Sequence, residues 1–194
     1  MFNSLSQRFA SPEAHIERLI KQVGEDIQKR AMRIGPTFDD DFAPLFAYTT
    51  SLLTELLGNR SSAAPQAPVV EWNRKQATKN DIASALHVAF CTLLALLDAQ
   101  HPSRTRRLSL GLNACFAGTG QATAPYDLVR KTLERKGSIA AMMHLRDGLL
   151  RILRRCGLAP GRDESAFGQR FALLTAYAEP QLRRLYPGTQ PSIR

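Results

Sequence analysis

Three arginines, Arg104, Arg106 and Arg107, occupy four positions at the head of RTRRLSLGLNACF, and the chain turns apolar directly behind them. Arg-Arg-x-Ser-apolar around Ser109 is the pattern of a basophilic kinase site, but a match this short arises readily by chance. Ser109 is also suited to cap a helix, since its hydroxyl can accept from the first free amides of the turn that follows. A second basic group, Arg130, Lys131, Arg135 and Lys136, falls within two helical turns, and spacings of four and five put much of that charge on one side. Residues 103 to 158 hold eleven lysines and arginines against three acids, whereas the remainder holds fifteen against fourteen. Charge kept only for solubility would be scattered; a third of the chain carrying nearly all of a net +9 points to a face that meets polyanions. Few aromatics interleave, only Phe116 and Tyr126, which favours contacts to phosphates over stacking on bases.

The remaining chemistry is weaker. His87 and Cys91 share a helix face at i and i+4, and with Cys115, His144 or Cys156 they have the ligand types of a zinc site, yet no paired C-x2-C or H-x3-H spacing anchors one. In an apolar helix a free cysteine serves as a small hydrophobe. His144 with Gly148 has an outline of a histidine phosphotransfer helix, but Asp147 stands where a basic residue would be wanted. Asp39, Asp40 and Asp41, at a helix start, compensate the helix dipole. No Ser/His/Asp set, glycine-rich phosphate loop or HExxH is present, so the expectation is a binding protein without cofactor or metal.

The elements that must position these residues are helical. Ser11-Pro12 opens a helix in which Ile16, Leu19, Ile20, Val23 and Ile27 recur at helical spacing, until Gly35-Pro36 breaks it. A second helix is expected from Phe38 to Leu57, ended by Gly58. A Ser/Ala/Pro-rich loop follows over 59–78. Thr78-Lys79-Asn80-Asp81 starts a third helix reaching Gln100, apolar nearly all round and therefore central. Residues 101–107 read as a basic connection. A short helix is then expected from Ser109 to Phe116, with Leu110 and Leu112 turned inward. Helices over 126–136, 138–155 and 164–185 complete the chain, the last kinked at Pro180. No segment alternates as a strand does. The expectation is an all-α compact bundle of six or seven helices, organised as a helical pair (1–58), the loop (59–78) and a basic bundle (79–194). No apolar run approaches a membrane span. The first residues lack the pattern of a secretory signal. The three scattered cysteines fit a reducing cytosol.

Three stretches carry a family resemblance: ALHVAFCTLLALLDAQHPSRTRRLSLGLNACFAGTG, YDLVRKTLERKGSIAAMMHLRDGLLRIL and FGQRFALLTAYAEPQLRRLYPG. An apolar helix, a basic stretch entering Ser-Leu-Gly, a basic helix and a terminal helix closing on Arg-Arg-Leu-Tyr follow in that order. Over residues 82 to 188 the chain resembles the small subunit (the CasB family) of the type I-E CRISPR surveillance complex Cascade. The resemblance implies a helical, non-catalytic subunit present in two copies, which works beside other subunits and steadies the guide RNA–target DNA duplex and the displaced strand. By position it implies phosphate contacts from Arg130, Lys131, Arg135 and Lys136, then Arg146, Arg183 and Arg184. Leu112 stands where the family has a basic residue, which would pass that contact to Arg104, Arg106 and Arg107. The alternatives are a helical DNA-binding regulator, a protein-interaction adaptor, and a small metal-dependent helical enzyme.

Overall fold

The computed structural model describes residues 12–57, 70–72, 77–98, 100–118, 124–155, 158–160, 169, 171–172, 175–176 and 178–187. The order is α1 (Pro12–Ile34), α2 (Pro36–Leu57), β1 (Val70–Trp72), α3 (Lys79–Asp98), α4 (Pro102–Cys115), α5 (Ala124–Arg155), β2 (Leu158–Pro160) and α6 (Ala178–Leu185). The protein is an all-α bundle. Among the described residues its one departure is a pair of three-residue antiparallel strands in which Glu71 faces Ala159. Such strands are too short to show alternation, which is why the expectation of no strand fails at these two places.

α3 is the axis of the bundle, and every other helix packs on it. Its start is fixed by a reciprocal cap: the Asp81 amide donates to Thr78 Oγ1 (3.3 Å), and the Thr78 amide donates to Asp81 Oδ2 (2.9 Å). All residues from Ser84 to Leu97 are buried. By length and composition α3 could cross a bilayer, against the expectation that no segment could. Its apolar surface is instead covered by the chain's own helices.

α1 lays Ile16, Ile20, Val23, Ile27 and Ala31 into the core, and Gly35 at φ 145° lets the chain turn into α2. Pro36 then takes the first helical position, where a missing N–H costs nothing, so α2 begins two residues before the expected Phe38. Phe38, Phe42 and Phe46 stack at 5.5 and 4.9 Å along one face, and Phe42 meets Phe90 of α3 at 4.9 Å.

α4 differs most from expectation. It begins at Pro102, so the three arginines lie on a helix and not on a connection. That register buries Thr105, Leu108, Leu112 and Cys115, spaced three and four apart, and turns Leu110 out to 80% exposure. Ser109 sits mid-helix and donates back to the Arg106 carbonyl (2.8 Å), so it caps nothing. Gly111 is a packing residue: a Cβ there would lie 2.2 Å from the ring of Phe38. The last carbonyls of α4 are met by Arg30, which donates to Ala117 O (2.7 Å) and Cys115 O (3.3 Å).

α5 is bent at Gly137 (φ 83°, ψ 179°), which divides it where two helices were expected. Of the last expected helix, 164–168 lie outside the described residues. Pro180 lies within α6, and Thr175 and Ala176 before it are helical as well.

Candidate nucleic-acid interface

α2 carries Pro44 in its interior. Proline has no N–H to give to Asp40, and its ring pushes against that carbonyl, spreading the neighbouring rungs of the helix. The rung from Leu45 N–H to Asp41 C=O is bridged by the hydroxyl of Tyr186, just beyond α6. The Leu45 amide donates to it at 3.1 Å, and the hydroxyl donates to the Asp41 carbonyl. Burial, foremost, raises the Tyr186 phenol well above its ordinary pKa, and the Leu45 amide opposes the rise. The hydroxyl is a fixed structural donor at any physiological pH.

The Asp41 side chain lies on the buried stripe of α2, only 6% exposed. Arg107 closes on its Oδ2 through Nε (3.1 Å) and Nη2 (2.6 Å). Arg104 approaches Oδ1 at 3.6 Å and lays its guanidinium over the Tyr186 ring, 5.1 Å from the centroid. Asp41 is therefore a buried ionic hub joining α2, α4 and the segment after α6, not a dipole-compensating surface acid. Arg104 and Arg107 are committed to it. Arg106, on the other side of α4, is exposed and has no ion pair among the described residues.

The second basic group is held differently. Tyr126 and Val129 are buried, and Leu133 packs against the same core, so this stripe seats the first half of α5. The buried Tyr126 phenol, raised chiefly by burial, also feels Asp98, Arg130 and Thr105, which places the first turns of α4 and α5 side by side. Lys131 and Arg135, away from the stripe, and Lys136, beside Gly137, are exposed with no ion pair among the described residues. Arg130 makes an exposed i,i+4 pair with Glu134 at 3.4 Å. A pair in that setting is worth only about 0.3–0.5 kcal/mol, so Arg130 remains available to a stronger anion.

The other expected contacts are dispersed. Arg146 lies beyond Gly137 and half-buried, its Nε shielded and without a hydrogen-bond partner. Arg183 and Arg184 are exposed in the last turn of α6, where they also complement the helix dipole. The side chains of Arg151, Arg154 and Arg155 lie outside the described residues.

The zinc-type residues do not converge. Among the described residues no three His, Cys, Asp or Glu side chains are grouped to hold a metal. His87 is stacked flat on Phe116, centroids 4.6 Å apart, and burial lowers its pKa to about 4, so the ring is a neutral core aromatic. Burial raises the Cys91 thiol far above its usual range, and pushes Cys115 up to about 12. Both are packing groups. His144 is half-buried; Cys156 lies outside the described residues.

No known family model, curated protein or solved structure matches this chain.

Proposed function

We propose that the protein binds nucleic acid through its phosphate backbone, with Lys131, Arg135 and Lys136 as the principal contacts and Arg130 released from Glu134 to join them. The observation that carries this reading is the contrast between the two basic groups. In one, Arg104 and Arg107 are held by a buried aspartate; in the other, Lys131, Arg135 and Lys136 are exposed, close-spaced and without an ion pair among the described residues. Exposed cations at helical spacing, with no aromatic platform and no base-reading side chains among them, suit sequence-independent contacts.

In the finer reading the chain is a non-catalytic small subunit of an RNA-guided CRISPR effector complex of the Cascade kind. It works in the cytoplasm beside the other subunits and a second copy of itself, and contacts the guide RNA–target DNA duplex or the displaced strand. Support comes from the order of apolar helix, Ser-Leu-Gly, basic helix and terminal Arg-Arg-Leu-Tyr, together with a fold and charge suited to the task. In such complexes base pairing reads the sequence, and protein contacts to the backbone tip a nearly balanced strand exchange. Arg106, Arg183 and Arg184 remain peripheral contacts; Arg104, Arg107 and Arg146 do not belong to this face.

The test is duplex binding against salt. Three phosphate contacts give a slope of about −2.7, hence a loss of roughly 40-fold between about 50 and 200 mM salt. A flat salt profile or a sharp sequence optimum would refute backbone binding. Failure to co-purify with CRISPR effector subunits and a guide RNA would refute the finer reading alone.

A further inference from the structure

A groove of about 520 Å3 opens between the second half of α5 and a wall that includes Phe171, Thr175, Ala176 and Glu179. Leu96, Ile139, Met142, Met143 and Phe171 make it apolar. Ile139 and Met143, one helical turn apart, are 78% and 54% exposed. Isolated apolar side chains on a surface need no explanation, but these two form the lip of a continuous apolar depression. Methionines give such a surface adaptability toward a packed partner. Set among them is Arg146, whose Nε is shielded from water and has no acceptor among the described residues; Glu179 also lines the groove. A guanidinium donor held from water without a partner is costly until something supplies one.

We propose that this groove docks an acidic amphipathic helix of a protein partner, its apolar side chains on Ile139, Met142 and Met143 and one carboxylate closing on Arg146. The charge of the site selects this occupant. Arg135 and Lys136 lie three and two residues before the lining residue Ser138, and an acidic helix meets these cations favourably. A second copy would bring its own net charge of +9 to the same place. A nucleic-acid strand has phosphates for Arg146, but its bases would find only Phe171 to stack on, and that ring is buried. An apolar stripe read by a groove, with a charge fixing its register, is the helix-in-groove mode of recognition. This inference lies beyond the nucleic-acid reading and stands apart from it.

The probe is a fluorescein-labelled amphipathic helix of about five turns, with leucines at i, i+3, i+4 and i+7 flanked by glutamates. A counterpart carries glutamine for every glutamate. Anisotropy is read on the full chain at physiological salt. The acidic peptide is expected to bind at least about tenfold tighter than its counterpart, and Arg146→Met to remove about that factor, as loss of one charge-assisted hydrogen bond does. Ile139→Gln with Met143→Gln should abolish binding while leaving circular dichroism and duplex binding unchanged, since both side chains are exposed and the change adds no charge beside Lys136. Lys131→Ala should weaken duplex binding and leave peptide binding intact, whereas Arg135→Ala with Lys136→Ala should weaken both. Equal affinity for the two peptides, or none for either, would overturn the proposal. So would an oligonucleotide whose own binding is lost on Ile139→Gln, or a dimer that the same change dissociates.

Discussion

Tyr186→Phe removes one oxygen atom and should reveal how far α2 depends on it. The hydroxyl accepts from the Leu45 amide at 3.1 Å and donates to the Asp41 carbonyl, and both contacts are buried. Phenylalanine keeps the ring, hence the guanidinium of Arg104 above it at 5.1 Å and the core volume around it. What is lost is the satisfaction of two backbone groups that water cannot reach. Each such orphan costs about 1–3 kcal/mol, and partial straightening of α2 recovers some of it, so a loss of about 3 kcal/mol is expected. The same change in a Pro44→Ala background should cost much less. Without the proline ring the rung from Leu45 to Asp41 can close on itself. The coupling between the two positions should be about 2 kcal/mol in a double-mutant cycle measured by urea denaturation with far-UV circular dichroism. A cost below about 0.5 kcal/mol for Tyr186→Phe, or an unchanged cost once Pro44 is gone, would refute the bridged-rung account.

Gly111→Ala should lower stability by about 1–3 kcal/mol despite the better helix propensity of alanine, because the added methyl meets the Phe38 ring at 2.2 Å; Phe38→Leu in the same chain should restore much of the loss in Tm. Arg107→Met should destabilise by about 2 kcal/mol, since Asp41 then keeps only the 3.6 Å approach of Arg104; a stability equal to wild type in urea would show that the pair contributes nothing. Lys131→Ala, Arg135→Ala and Lys136→Ala together should leave the urea midpoint within about 0.5 kcal/mol of wild type and flatten the salt dependence of duplex binding. His87 is neutral in the fold, with its pKa lowered to about 4 against 6.5 unfolded. The unfolded chain then binds the extra proton between those values, so this contribution is complete above about pH 6.5 and is lost as pH falls toward 4. The urea midpoint should drop across that window and do so less in His87→Phe.

The regular parts of the fold were legible because local rules and tertiary packing agree. The Ile16-to-Ile27 periodicity, the cap at Thr78–Asp81 and the break at Gly137 each specify the same element from the chain outward as the bundle does from the core inward. Reading α4 failed for a physical reason. This helix has no side-chain cap, so its one local start signal is Pro102 at the first helical position, and it is held by contacts to residues more than sixty positions away, such as Asp41. The sign that Asp41 differs from its neighbours was present: it sits three residues after Phe38 and four before Leu45, on the apolar stripe of α2, where an acid must have a partner. That the partner would be Arg107, and that Tyr186 would reach Pro44's helix, depend on tertiary placement that spacing alone does not encode. Exposure of Lys131 and Arg135 was readable, because both fall on the side of the helix away from Val129; Lys136, seven residues on, falls on Val129's own face, and its exposure did not follow from the periodicity.

The hydroxyl that bridges α2 reaches it from 145 residues further along the chain. During synthesis at about 5–20 residues per second, α2 therefore waits on the order of ten seconds after Asp41 is made before its rung can be bridged. In that interval the stretch of α2 around Pro44 and Asp41 has neither its phenol nor, until α4 emerges, its arginines. Such long-range closure belongs late in folding, where interactions govern how slowly the finished protein opens more than how fast it forms. The end of the chain thus acts as a clasp, fastening a helix made near the beginning only after nearly everything between them has been translated.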